Sequence, residues 1–137
     1  MSALTAAIAA RLRDDVQLAA ILSAYRDEPA VFTVDPPPGD ASLPYIVSAG
    51  HVADAPFDTK TELGRAIQRD VRCYAEADGS AVVVEAIAER VRELLHRQPL
   101  AVTGFGVFLA EVSGPIVANE TEAYGRVLTA RFIMMEA

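Results

Sequence analysis

The stretch "RAIQRDVRCYAEADGSAVVVEAIAERVRELLHRQP" (65–99) decides the fold, because the spacing of its apolar residues changes from that of a strand to that of a helix. Residues 65–77 alternate in character, which is typical of a strand. One face carries Arg65, Ile67, Arg69, Val71 and Cys73, and the other carries Ala66, Gln68, Asp70, Arg72 and Tyr74. We therefore predict a partly covered strand with two arginines near one end of its apolar face.

A turn and an amphipathic helix follow this strand. The segment Asp-Gly-Ser at 78–80 ends the strand and starts the next element. Helical spacing over residues 80–98 collects the apolar side chains on one stripe. The members of this stripe are Val84, Ile87, Val91, Leu94 and Leu95. Pro99 ends the helix, because proline lacks the N–H that a helix interior requires.

Two short helices are predicted ahead of this stretch. Ser2 can cap a first helix that runs to about Arg13. The apolar residues four apart on its stripe are Leu4, Ile8 and Leu12. The acidic pair at 14–15 is a new start signal, so a second short helix is predicted over residues 16–25.

Strands account for most of the remaining chain. Those predicted from β-branched and aromatic content cover residues 30–34, 44–53, 106–114 and 123–135, and residues 55–64 are expected to form a loop or hairpin tip. Strands with short connections and segregated helices are typical of the α+β class. We predict a single domain over residues 1–137. Its mostly antiparallel sheet has about four to five strands, on which the N-terminal helices and the long helix 80–98 pack.

The proline-rich segment "PPPGDASLPYIV" (36–47) could be a recognition element, a domain linker or the lead-in to a strand. It lies between two predicted strands, which disfavours a linker. It also lacks the periodic repeats of a strong polyproline ligand. We therefore interpret it as a stiff connection whose preset φ angles reduce the entropy lost when strand 44–53 docks.

Composition narrows the function classes. Apolar residues make up 52% of the 137, so a core is available, and no apolar run approaches the length of a membrane span. The N-terminus lacks the order of a signal peptide. The single Cys73 excludes an intramolecular disulfide and favours production in the cytoplasm. A net charge of −7 disfavours a protein that grips nucleic acid through its phosphates.

No catalytic or metal site is predicted. His51 and His96 each lack a second ligand at metal-binding spacing, and Cys73 is interpreted as a packed thiol. The "GFG" at 104–106 precedes a strand rather than a helix, so we interpret it as a turn instead of a phosphate loop. We predict that the chain is not an enzyme and has no cofactor.

The order of these elements resembles the phage tail-terminator, or tail-completion, family of siphophages, prophages and gene-transfer-agent particles. The segments that carry the resemblance are "ALTAAIAARLRDDVQLAAIL", the proline-rich lead into "LPYIVSAG", "DTKTELGRAIQRDVRCYAEADGSAVVVEAIAERVRELLH" and "EAYGRVLTARFIMMEA". They cover nearly the whole chain. The family often has a tryptophan near the end of the central strand, where this chain has Tyr74.

The resemblance implies a structural virion protein that is made in the bacterial cytoplasm. It would form a homohexameric ring on the last ring of the tail tube, stop tube polymerisation and join the tail to the head connector. The implied partners are the chain itself, the tube protein and the connector. No membrane and no specific nucleic acid are expected, although DNA would pass through the lumen of the ring.

Two other functions stay open at this point. One is a head–tail connector or minor tail protein, which differs from a terminator in the neighbour that it binds. The other is a small-molecule or peptide-binding α+β domain, which an apolar pocket with convergent polar groups would favour.

A contact surface is predicted at loop 55–64, because a solvent loop has little reason to carry an exposed aromatic residue. The residues that we assign to a subunit or tube contact are Phe57, Asp58, Lys60, Glu62, Arg65 and Arg69. Phe57 would be an apolar anchor and the charges would set register and partner choice. Alternatively, Phe57 folds back onto its own sheet.

Overall fold

The structure is a computed structural model that describes residues 2–137. Its helices are α1 (Ser2–Arg13), α2 (Val16–Ile21) and α3 (Val82–Leu95). Its strands are β1 (Ala24–Tyr25), β2 (Glu28–Pro29), β3 (Val31–Phe32), β4 (Tyr45–Val47), β5 (His51–Pro56), β6 (Gly64–Glu76), β7 (Phe105–Val117) and β8 (Ala123–Glu136). The α+β class is therefore as predicted.

The main sheet has six strands in the order β3-β4-β6-β8-β7, with β5 pairing to β6 next to β4. The strand predicted from the alternation at 65–77 is its centre, since β6 pairs with β8 from Gly64↔Met135 to Glu76↔Ala123. The predicted sheet of four to five strands was too small. Strands β1 and β2 form a separate two-stranded hairpin.

The sheet is mixed rather than wholly antiparallel, because β3 and β4 run parallel with Val31 opposite Ile46. A parallel pair needs a crossover of about a dozen residues or more. The proline-rich segment forms this crossover over residues 33–44, so its interpretation as a connection between two strands is confirmed.

One face of the sheet holds the main core. Helix α3 packs across β6, β7 and β8, and α1 and α2 contact α3. The fully buried side chains of this core include Leu4, Ile8, Leu12, Leu18, Ile67, Val71, Val84, Ile87, Val91, Leu128 and Phe132. The apolar stripes predicted for α1 and α3 therefore point inward.

Three predicted boundaries were wrong. Helix α2 ends at Ile21, because Ala24–Tyr25 instead pair with Glu28–Pro29 across a turn. The predicted strand 44–53 is two strands, β4 and β5, which both pair with β6 but with an irregular register at the start of β5. Helix α3 ends at Leu95, ahead of Pro99, because His96 is extended and Arg97 has a φ of 54°.

Candidate contact surface

The predicted contact loop is the tip of the β5–β6 hairpin, and its backbone is held by its own polar residues. The Phe57 N–H donates to the Gly64 carbonyl at 2.9 Å, and the Gly64 N–H donates to Asp58 Oδ1 at 3.0 Å. The Thr59 N–H donates to the Glu62 carbonyl at 2.9 Å. The predicted hairpin tip is confirmed, and it is a structured loop.

Gly64 allows the hairpin to close. A Cβ at this position would lie 2.4 Å from the Phe57 carbonyl oxygen and 2.9 Å from that of Met134. Both neighbours are backbone atoms, so they have little freedom to move away. The Leu63 carbonyl accepts from the Glu136 N–H at 2.9 Å, which ties the hairpin to the end of β8. The orientation of the loop is therefore fixed by the sheet.

Exposed apolar side chains surround this hairpin. Phe57 is 43% exposed, and Val52 and Leu63 are each 59% exposed. Phe57 therefore does not fold fully into its own sheet. Exposed apolar groups are more common at contact sites than elsewhere on a small domain, so the prediction of a contact here stays open.

Arg65 and Asp54 form an ion pair across β5 and β6. The Arg65 Nε donates to Asp54 Oδ1 at 3.1 Å, and its Nη2 donates to the other carboxylate oxygen. The hydrogen bond from Arg65 lowers the pKa of the Asp54 carboxyl below its ordinary value. Both side chains stay about one-third exposed, so the pair lies on the surface of the hairpin.

Arg69 differs from the other predicted contact residues, because its side chain is fully buried. It lies on the helix-facing side of β6. There it contacts α1 and the residues that connect β4 to β5. The arginine-bearing face of this strand is therefore partly covered, as predicted, with Arg69 buried and Arg65 about one-third exposed. Arg69 does not belong to the exposed surface of the hairpin.

The buried guanidinium has polar partners but no carboxylate. Its Nη1 donates to Thr5 Oγ1 at 2.7 Å, and its Nη2 donates to the Ser48 carbonyl at 2.9 Å. His51 Nδ1 lies 3.3 Å from Nη1. None of the ion pairs formed within residues 2–137 includes Arg69. Burial lowers the pKa of Arg69. Arg69 thus connects α1 to the segment between the end of β4 and the start of β5.

The remaining residues that sequence analysis considered for chemistry have packing or structural contacts. Cys73 is fully buried, and burial raises the pKa of its thiol to about 12, so the prediction of a packed thiol is confirmed. His96 accepts a hydrogen bond at Nδ1 from the Val112 N–H, at 3.0 Å. Gly104 has a φ of 84° in the turn before β7, as expected for a turn glycine.

Two further features of the sheet were not predicted from the sequence. Tyr45 and the buried Tyr74 pack with tilted rings on the sheet face that α3 does not cover, with ring centroids 5.6 Å apart, and the Tyr74 hydroxyl donates to Glu120 Oε1 at 3.2 Å. Strand β7 also exposes large apolar residues, namely Phe108, Ile116 and Val117. A bulge after Val107 and a second after Ser113 disturb the alternation by which these side chains could have been assigned to a face.

Across residues 2–137, no three side chains of the metal-binding types lie close enough together to hold an ion. None of the described helices has the length and apolar content needed to cross a membrane.

Comparison with known proteins places this fold. A chain from a structure described as "Virion of native gene transfer agent (GTA) particle" superposes with a TM-score of 0.81 at 22% sequence identity. The match covers 98% of this chain and 96% of that one, and at this identity it establishes the fold. No curated protein is similar enough to count as a match. The family described as "Tail completion protein gp17" matches residues 6–134. The chain therefore belongs to the tail completion protein family, whose members are structural components of phage tails.

Proposed function

We propose that this chain is a tail terminator, which forms a hexameric ring at the head-proximal end of the tail tube. In this position it stops polymerisation of the tube and presents a surface to the head connector. The family match over residues 6–134 carries the proposal. The similarity of nearly the whole chain to one from a virion supports it.

The distribution of exposed apolar residues supports a protein with neighbours on several sides. One group surrounds the β5–β6 hairpin, a second lies on β7, and a third comprises Val82 and Val83 at the start of α3. Monomeric soluble proteins rarely expose large apolar patches without an interaction partner. A ring subunit has two ring neighbours and a tube, so several separate contact areas are expected.

Assembly without this protein tests the proposal. We expect particles that lack the chain to contain tubes of uncontrolled length that are not joined to heads, and the purified chain added in trans to restore both the length and the joining. Tails of normal length that only fail to attach heads would instead assign the chain to the connector. Normal, joined tails would contradict both functions.

The hairpin tip tests the assigned contact surface. A double change, Phe57→Ser with Lys60→Glu, alters exposed residues and should leave the monomer folded. We expect tails of uncontrolled length or tails without heads, because the anchor and its neighbouring charge are lost. A matched control is Val16→Ser on α2, which is 82% exposed and lies outside the proposed surface. Normal joined tails with the double variant would remove the loop from the contact surface.

A further inference from the structure

The main sheet leaves three strand edges without a neighbouring strand, on β3, β5 and β7. Unpaired N–H and C=O groups along such an edge can bind another strand, and proteins commonly cover them. The three edges of this sheet differ in whether their outward backbone groups have partners.

The edge of β7 is covered by the end of α3. The Arg97 N–H donates to the Ala110 carbonyl at 2.8 Å, and the Val112 N–H donates to His96 Nδ1 at 3.0 Å. Arg92 Nη1 donates to the Val112 carbonyl at 2.6 Å and lies 3.3 Å from that of Gly114. Four outward backbone groups in the middle of this edge are therefore already paired, which disfavours the addition of a further strand.

The edge of β3 is covered in a similar way. The Ala30 carbonyl accepts from the Ile46 N–H at 2.9 Å, and the Phe32 carbonyl accepts from the Ser48 N–H at 2.8 Å. The Val31 carbonyl between them points to the opposite side and accepts from Arg13 Nη2 of α1 at 2.7 Å. An arginine from a helix thus covers this edge, as Arg92 does at β7.

Among residues 2–137, the edge of β5 has no such cover. Because the Phe57 N–H donates to Gly64, alternation along the antiparallel pair turns the N–H and C=O of Asp54 and the C=O of Pro56 outward. No loop or side chain among residues 2–137 forms a hydrogen bond with these three groups. Residues 52–56 are all exposed. This edge is short, but it is ready to accept a strand.

We propose that the outer edge of β5 receives an extended, basic segment of the tube protein, which continues the sheet by one strand. This inference rests on the proposed function, which places the tube next to the chain. The three outward groups of Asp54 and Pro56 would supply backbone hydrogen bonds. The exposed Phe57 and Leu63 would supply apolar anchors, as in other cases of strand addition.

A second copy of this chain fits the edge poorly. The edges of β3 and β7 in a second copy are covered by Arg13 and Arg92. Antiparallel pairing of two β5 strands about Asp54 would place two like charges opposite each other, which is destabilising. These two features favour a different chain as the occupant.

Charge indicates the chemistry of that chain. Acidic residues outnumber basic ones on the hairpin, with Asp54, Asp58 and Glu62 against Lys60 and Arg65, and the whole protein has a net charge of −7. A lysine or arginine opposite Asp54 would complement this surface and fix the register.

A pair of substitutions at position 54 separates the backbone contact from the side-chain contact. Asp54→Pro and Asp54→Ala both remove the carboxylate that pairs with Arg65, but only the proline removes the outward N–H. The probe is the purified tube protein of the same particle, added to the full chain. We expect Asp54→Pro to bind about tenfold more weakly than Asp54→Ala, which keeps the backbone donor. In the wild-type chain, amide exchange at Asp54 should slow on binding.

The outcomes distinguish this inference from the proposed function. Equal binding by Asp54→Pro and Asp54→Ala, with the wild-type chain bound, would overturn the β5 edge as the docking site and leave the function intact. No binding by the wild-type chain would contradict the proposed function. Slowed exchange at Asp54 on raising the concentration of the chain alone would identify a second copy as the occupant and overturn the inference.

A second pair covers the case in which Asp54→Pro does not fold. Val52 is 59% exposed on the same strand, so Val52→Lys and Val52→Ala should both leave the fold intact. An added lysine repels a basic strand and is a common protection of sheet edges. Weaker binding by Val52→Lys than by Val52→Ala supports the inference, and equal binding overturns it.

Discussion

The edges of β5 and β7 belong to one sheet but differ in whether their outward backbone groups have hydrogen-bond partners within the chain. Strand β7 is long and exposes Phe108, Ile116 and Val117, and the end of α3 covers its backbone. Strand β5 is short, and its backbone is open. A long apolar edge would pair with any available strand, whereas a short edge beside charges can select its partner. The long apolar edge is thus paired within the chain, whereas the outward groups of the short edge have no partner among residues 2–137.

The largest expected effect concerns Arg69, which holds the point where β5 begins. Arg69→Ala would leave a cavity and remove the donors to Thr5 and Ser48, so we expect a loss of about 3 kcal/mol or more in the free energy of unfolding. Denaturant titration measures this loss.

Arg72→Ala is the matched control for this change. It removes an arginine of the same strand whose side chain is 43% exposed, and we expect a change within about 0.5 kcal/mol. A similar effect of both changes would mean that Arg69 does not anchor the open edge.

The second prediction removes the cover from β7. Arg92→Ala leaves the Val112 and Gly114 carbonyls unpaired, and we expect a loss of about 1–3 kcal/mol in the free energy of unfolding. The uncovered edge should also make the chain self-associate as its concentration rises, which light scattering detects.

Arg97→Ala is the control at β7, because Arg97 contacts Ala110 through its backbone N–H. This change keeps that bond, so the chain should stay at its original size. Self-association by Arg97→Ala, or its absence in Arg92→Ala, would contradict the account of the covered edge.

The third prediction compares an ion pair between two helices with the ion pair beside the open edge of β5. Asp15 caps α2 and accepts two bonds from Arg90 of α3, at 2.6 and 3.0 Å, whereas the Asp54–Arg65 pair lies on the surface hairpin. We expect Asp15→Ala to cost about 1 kcal/mol through loss of the cap alone. Asp54→Ala should cost at most about 1 kcal/mol because exposed pairs contribute little. Thermal unfolding of both variants orders the two effects.

Acid should remove the contributions of the Asp15 and Asp54 carboxylates to the free energy of unfolding. The pKa of each carboxyl is lowered from the ordinary value of 3.8, chiefly by the hydrogen bond from Arg90 at Asp15 and from Arg65 at Asp54. A lowered pKa in the folded state stabilises the fold above that value, and the stabilisation is lost as the pH falls through the folded-state pKa. The difference between wild type and Asp15→Ala should therefore shrink below pH 3.8. A constant difference would exclude the ionised carboxylate as its source.

The smallest expected effect is that of Arg97→Gly, a change next to the end of α3 that covers β7. Arg97 has a φ of 54° just after α3, in the left-handed conformation that favours glycine at a helix end. Arg97→Gly should raise the free energy of unfolding by up to about 1 kcal/mol while keeping the N–H that bonds Ala110. Gln98→Gly is the control, and no gain is expected from it. Destabilisation by Arg97→Gly would mean that the arginine side chain has a contact that matters more than the backbone strain.

Much of the fold could be predicted because its apolar periodicity is strong. The alternation at 65–77 and the stripe through Val84, Ile87 and Val91 identified the central strand and the helix that covers it. The parallel pairing of β3 with β4 could not be read in this way, because each strand is too short to show a pattern.

The candidate site was predicted only in part. The exposed Phe57 and the charges at the hairpin tip followed from composition, since aromatic residues are unusual in a solvent loop. The burial of Arg69 depends on α1, which lies far away in the sequence. The cover of β7 likewise depends on where α3 ends, and that end was predicted at Pro99 instead of Leu95.

Imaging the head-proximal end of assembled tails by electron cryomicroscopy tests the central claim most directly. The account predicts a ring of this chain on the last tube ring, with a strand of the tube protein added along β5 at Asp54 and with α3 still covering β7. A ring whose subunits or tube contacts pair along β7, with β5 left open to solvent, would contradict it.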